Sequence, residues 1–204
     1  MAILRVIARL GLAGTVLALA SASVDAAQID TDTDRAGASP LSSPPPVPTA
    51  KLPYGSRWWQ RLDYSIPRRV VRAPLVIIIP DTMFRPLAPP YGVNWLRYRL
   101  HEAGFAVAQL SYNVREEGAD EALRAAARGV ARFRTEAARR HFDPSRIIVL
   151  GIGSGANFAS MLALDPAGLR GVGVPAEAVK GIVAVNGDGF DLVNLHETAS
   201  AYRP

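Results

Sequence analysis

The apolar residues of this chain fall into short continuous runs, separated by stretches with helical spacing. Leu75 to Ile79 is one such run, closed on both sides by Pro74 and Pro80. Its three consecutive isoleucines predict a strand buried on both faces. Phe105 to Leu110, Arg146 to Leu150 and Gly181 to Val185 predict three more strands of this kind. Trp95 to Ala103 predicts a helix, with Gly104 placed to cap its end. Ala119 to Arg140 predicts a longer one. There Leu123, Ala126, Ala127, Val130, Phe133 and Ala137 share one stripe, and the arginines mostly lie opposite. Asp143-Pro144 breaks the chain before the third strand. Gly155 to Leu164 predicts another helix, and Ala176 to Val179 a short helical turn. Leu62 to Ile66 fits an antiparallel strand leading into the set. Apolar strands alternating with helices imply parallel pairing through right-handed crossovers. In such sheets ligands sit at the carboxyl ends of the strands. A site is therefore expected among the loops after Ile79, Leu110, Leu150 and Val185.

The ends of the pattern read differently. Arg5 and Arg9 precede the apolar stretch Leu10 to Ala20. Ala20-Ser21-Ala22 and Val24-Asp25-Ala26 both offer small residues where a signal peptidase cuts. The stretch is shorter than the about 20 residues a membrane span needs. Residues 1–27 therefore read as a cleaved signal peptide, with no stable membrane anchor and a periplasmic or extracellular destination. Residues 28–50 carry Thr, Asp, Ser and the cluster Pro40, Pro44, Pro45, Pro46 and Pro48, the composition of a disordered linker. Residues 51–204 remain as one folded domain, in which no internal repeat is visible.

Composition narrows the chemistry. The 204 residues are 49% hydrophobic, enough for a core. They contain no cysteine, which excludes disulfides, thiolate nucleophiles and thiolate metal sites. The formal charge is +5, and the cations are nearly all arginine, with Lys51 and Lys180 the only lysines. Arg68-Arg69 and Arg139-Arg140 are the densest pairs, and no basic run interleaved with aromatics appears, so the charge reads as a solvated surface and not as a nucleic-acid site. The three histidines and the acids show no metal-ligand spacing. No cofactor is expected.

Three segments share an order and spacing: Tyr54-Gly55 followed by Gln60-Arg61-Leu62-Asp63, then Asp143-Pro144-Ser145-Arg146-Ile147, then Val179-Lys180-Gly181-Ile182 through Asp188-Gly189-Phe190-Asp191-Leu192. Together they resemble the esterase/lipase branch of the α/β-hydrolases, the group with feruloyl-esterase-like and kynurenine-formamidase-like enzymes. The resemblance runs from Tyr54 to about Leu195. It implies an α/β fold with a mostly parallel central sheet and helices on both faces. It also implies that the family's C-terminal strands are missing, since the chain stops at Pro204. The strand at Gly181 to Val185 would then expose an apolar edge, open to self-association or to a partner.

The family sets its nucleophile in a strand–Gly-x-Ser-x-Gly–helix turn, where the residues two before and two after must be small. The matching stretch here is Gly151-Ile152-Gly153-Ser154-Gly155-Ala156. Centred on Gly153, both flanks are glycine, and the nucleophile position has no side chain. Centred on Ser154, the flanks are Ile152 and Ala156, and the β-branched Ile152 fits the turn poorly. Ser154 is the remaining candidate nucleophile; its blander role is to support the turn and cap the next helix. The family's His-Gly-Gly-Gly oxyanion loop is replaced by Pro80-Asp81-Thr82-Met83-Phe84. Pro80 has no N–H to donate. Asp81 would place negative charge beside a forming oxyanion, while Thr82 or Met83 retains an amide. Downstream of the turn the only histidine is His196, and Asp188 and Asp191 precede the place of the family's acid. His101 and His141 lie upstream, on or beside helices. No complete Ser-His-Asp set is present, so the expectation is a carboxylesterase-like protein without turnover.

Other readings stay open at this point. Ser154 with His196 as base would make an active ester hydrolase. Gly151-x-Gly153-x-x-Ala156 also fits a relaxed dinucleotide fingerprint, although late in the chain. A third reading is a non-catalytic protein that uses the old cleft for a small apolar ester or acid, with Met83, Phe84 and Tyr112 lining it. Trp58-Trp59 is either a stacking platform for sugars or aromatics or a pair with one ring packed under the sheet edge.

Overall fold

The computed structural model describes residues 16–20, 47–67, 70–81, 93–164 and 166–187. Their strands are β1 (Val16–Ala20), β2 (Ala50–Pro53), β3 (Arg61–Ser65), β4 (Ala73–Ile79), β5 (Ala106–Leu110), β6 (Phe142–Ile152) and β7 (Val179–Val185). Their helices are α1 (Val93–Glu102), α2 (Val114–Glu117), α3 (Ala119–Thr135), α4 (Ala137–Arg140), α5 (Ser154–Leu164) and α6 (Pro166–Gly171). A 3₁₀ turn at Ala176–Ala178 leads into β7.

The strands form one sheet in the order β1-β7-β6-β4-β5-β3-β2. β1, β7, β6, β4 and β5 are parallel, while β3 runs antiparallel to β5 and β2 antiparallel to β3. The isoleucine run explains the layering. Leu75, Ile77 and Ile79 enter the core on one face, with Phe133, Phe142 and Phe158. Val76 and Ile78 enter the core on the other, with Val93 and Leu100 of α1. Each side chain is wholly removed from water, which contributes about 1.5–3 kcal/mol apiece. α3 and α5 cover the first face and α1 the second, so the expected helices lie on both sides of a mostly parallel sheet.

The predicted helix from Ala119 to Arg140 is interrupted at Glu136. The Thr135 hydroxyl donates to the Arg132 carbonyl (2.8 Å), and the Glu136 amide donates to the Phe133 carbonyl, three residues back. Such bonds tighten and bend a helix. The buried Glu136 carboxylate then pairs with Arg132, Arg139 and Arg140. Asp143-Pro144 also does not separate a loop from a strand. β6 begins at Phe142, which pairs with Ala73, and the register slips before Leu75 pairs with Ile147. Proline has no ladder donor, and pairing is irregular there.

Four elements carry too little pattern to be predicted: β1, β2, α2 and α6. α2 is one turn long and is set by Asn113, whose side chain accepts from the Glu116 amide (3.3 Å). β2 pairs along β3, Ala50 opposite Tyr64 and Pro53 opposite Arg61. β1 lies within the stretch read as the signal's apolar region and pairs in parallel with β7, Val16 opposite Gly181 and Ala20 opposite Val185. The outer edge of β7, expected to be open, is thus occupied in the full chain. Small and branched apolar residues serve both an export signal and a strand, which is why the sequence alone does not separate the two.

Candidate functional site

A tight turn at the carboxyl end of the sheet joins β6 to α5. Gly153 sits there at φ +55°, a left-handed conformation that costs residues with a side chain about 1–2 kcal/mol. Its amide donates to the Val185 carbonyl at the end of β7 (2.9 Å), and its carbonyl accepts from the Ala156 amide (2.9 Å). The glycines on either side are required by close approach. A Cβ on Gly151 would lie 2.2 Å from the Gly155 carbonyl oxygen and 2.5 Å from the Ala156 Cα. A Cβ on Gly155 would lie 2.1 Å from the Ile79 carbonyl oxygen. The helix therefore packs directly on the end of β4, with Gly153 at the apex and the two other glycines two residues away on each side.

The space beside the apex is taken by Asp81. A Cβ on Gly153 would meet Asp81 Oδ2 at 2.4 Å, Cγ at 2.5 Å and Cβ at 2.8 Å. The Ser154 hydroxyl donates to Asp81 Oδ1 (2.8 Å), and the Ser154 amide faces the same oxygen at 3.5 Å. The expected cap on α5 is thus replaced by a bond across the turn. The carboxylate also lies at the positive end of the α5 dipole, where an anion is stabilised.

Tyr112 fixes the other half of this arrangement. Its hydroxyl donates to the Pro80 carbonyl (2.8 Å) and lies 3.5 Å from Ser154 Oγ. Its ring is buried edge-on against Phe158, with centroids 5.2 Å apart. It does not line an open cleft, as the sequence suggested, but holds the end of β4 over the turn. The signal for this was its position just past β5. Nearby, the Tyr54 hydroxyl donates to the Ser111 carbonyl. Burial, with Glu117 close by, pushes that phenol well above its ordinary range.

The structure thus brings Asp81, Gly151, Gly153, Ser154 and Gly155 together. Thr82, Met83 and Phe84 lie outside the described residues, as do Asp188, Asp191 and His196. His101 ends α1 before the start of β5, and His141 directly precedes β6, so both lie at the amino end of the parallel strands. Neither tryptophan of the Trp58-Trp59 pair is buried. Trp58 is exposed, and Trp59, half-buried, donates to Glu117 Oε1 (3.0 Å). Among the described residues, no cluster of three or more His, Asp or Glu side chains is placed to hold a metal ion. Among them also, no helix is long and apolar enough to cross a membrane.

No family model matches the sequence, and no curated protein matches it. Solved structures do match its shape. A protein classed as a carboxylesterase from Lactobacillus plantarum is 18% identical with a TM-score of 0.53, over 67% of this chain and 58% of its own. A protein classed as a thioesterase from Silicibacter sp. is 24% identical with a TM-score of 0.53, over 72% of this chain and 52% of its own. Esterase 2 of Thermogutta terrifontis is 17% identical with a TM-score of 0.50, over 59% and 48%. The chain spans about half the length of these structures. With its mostly parallel sheet, helices on both faces and glycine turn after β6, it has the α/β-hydrolase fold in incomplete form.

Proposed function

We propose that this chain is a secreted, carboxylesterase-like hydrolase scaffold that does not turn over esters as it stands. The observation that carries the reading is Asp81 beside Gly153. In the hydrolase turn, the apex supplies the nucleophile, and the amide of the next residue supplies an oxyanion donor. Here the apex is a glycine, and the space its side chain would need holds a carboxylate. The next amide, that of Ser154, faces the same carboxylate. One side chain therefore fills the nucleophile's place and sets negative charge where a transition state would develop it. The same charge at the N-terminus of α5 argues against a pyrophosphate site there.

Ester hydrolysis by Ser154 is the second reading, favoured by its hydrogen bond to a carboxylate. Against it, Ser154 belongs to the helix and not to the apex. Among the described residues, the groups within reach of its hydroxyl are Asp81 and Tyr112. A carboxylate is a much weaker base toward a serine hydroxyl than the imidazole of a hydrolase triad.

Labelling the purified protein with a fluorophosphonate serine probe, with Ser154→Ala alongside, decides between them. No labelling of folded protein is expected. Labelling that vanishes in Ser154→Ala would overturn the proposal in favour of an active esterase.

Export rests on the charged, apolar and small-residue pattern of residues 1–27. Cleavage after Ala22 or Ala26 would remove β1 and uncover the edge of β7, an edge open to a second copy or a partner strand. The intact mass of the exported protein tests this: a chain starting after Ala22 or Ala26 is expected, and a chain retaining Val16 would make β1 a permanent strand.

A further inference from the structure

The amino end of the sheet holds a cavity that the proposed function does not use. It has a volume of about 580 Å³, within the ordinary range for small-molecule sites. Ala50, Ile66, Val70 and Val71 form its apolar wall, and Ser65, Arg139, Arg140 and His141 its polar side. We propose that this cavity binds a small amphipathic carboxylate, with its apolar body on the valine wall and its charge on Arg139.

Three observations carry the assignment. First, the local charge is unbalanced. Arg132, Arg139 and Arg140 share the single carboxylate of Glu136, which leaves two positive charges in excess. Second, the two lining arginines differ. Arg140 is held at 3.3 Å by Glu136, donates to the Tyr64 hydroxyl and lies over the Tyr64 ring, 4.7 Å from its centroid. Arg139 makes one long contact to Glu136, 3.9 Å, and its side chain is 82% exposed. It is the guanidinium able to turn to an anion, and a carboxylate matches its planar fork. Third, Val71 stands 84% exposed at the lip. Two of the three non-glycine residues with positive φ among the described residues flank this cavity: Arg72, next to Val71, and His141. Strain of this kind concentrates at ligand sites.

A carboxylate fits this set better than a neutral ester, because an ester has no charge to place on Arg139. The site lies at the opposite end of the sheet from Gly153, so the proposal stands whether or not Ser154 is reactive.

Calorimetric titration of the purified full chain with sodium octanoate tests the proposal, with octanol as the uncharged probe of equal length. Saturable binding at one site is expected, at least about tenfold tighter for octanoate than for octanol. Arg139→Gln and Val71→Asp, both exposed positions, should each weaken octanoate by about tenfold while leaving the circular dichroism spectrum unchanged. Ser154→Ala should bind as the parent does. No saturable binding up to millimolar octanoate would overturn the proposal, and so would equal affinity for octanol. Binding that survives Arg139→Gln but is lost in Ser154→Ala would place the ligand at the carboxyl end instead, and would also overturn it.

Discussion

The two ends of the parallel sheet are built in opposite ways. At the carboxyl end, backbone meets backbone: α5 rests on the last residues of β4 through glycines, and Asp81 fills what space the turn leaves. At the amino end, the turn before β4 and the end of α4 stand apart around an open basic cavity. In this fold the carboxyl end is where ligands ordinarily bind. Here the described turn at that end is packed tightly around a charge, while the other end is open and has charge to spare. The proposed ligand site therefore does not follow from the fold. The local balance of charge and space is the better guide.

The largest expected effect is at the closed end. Gly155→Ala would drive a Cβ into the Ile79 carbonyl oxygen. The obstacle is backbone on both sides, so neither partner can swing aside. Overpacking of this kind should destabilise the protein by about 3 kcal/mol or more, read as a shift of the urea midpoint with unchanged slope. Gly168, in α6, has nothing within 4 Å of the same added carbon. Gly168→Ala should be neutral or slightly stabilising, since alanine loses less entropy in a helix. Equal effects at the two glycines would break the contrast between a closed carboxyl end and open surface.

A smaller effect tests whether Asp81 is the plug. Gly153→Ser adds a side chain at φ +55° and into the Asp81 carboxylate. The two costs together come to about 2–3 kcal/mol. Asp81→Gly alone loses the bond from Ser154 but clears the space. In the double variant the collision is gone, so its destabilisation should fall short of the sum of the single ones by about 1 kcal/mol or more. Simple additivity would mean that Asp81 does not occupy the apex space.

Much of this was legible in the residues, for physical reasons that also explain what was not. The isoleucine run and the glycine flanks betray the buried strands and the tight turn, because burial on two faces and close backbone approach each admit few residue types. Asp81 was visible as a charge of the wrong sign, but that its carboxylate would lie against Gly153 depends on how α5 docks on β4. The break at Glu136 was hidden because the apolar stripe runs on to Ala137, while the bend comes from hydrogen bonds at Thr135 and Glu136. The amino-end cavity was invisible for a similar reason. Ser65, Val71 and Arg139 come from three separate segments, and only the register of β3 on β5 and of β6 on β4 brings those segments to one end of the sheet.

A comparable effect belongs to the amino end, where Asp143 ties β6 to the turn before β4. Burial alone would raise its pKa. It is outweighed by the hydroxyl and amide of Ser145, the Arg146 guanidinium and the charge of Arg72, which together hold the carboxyl at about 2. Unfolded, the same group titrates near 4. The folded value is the lower one, so the ionised form favours folding. Its stabilisation is complete above about pH 4 and is lost as the pH falls toward 2. The difference in pKa corresponds to about 2 kcal/mol. Unfolding free energies measured in urea at pH 6 and pH 2.5 should therefore differ by less in Asp143→Asn than in the parent, with most of that 2 kcal/mol missing from the variant's acid sensitivity. An unchanged acid sensitivity would mean that the open end is not held by this carboxylate, and that Arg72 and Arg146 are surface charges like the rest.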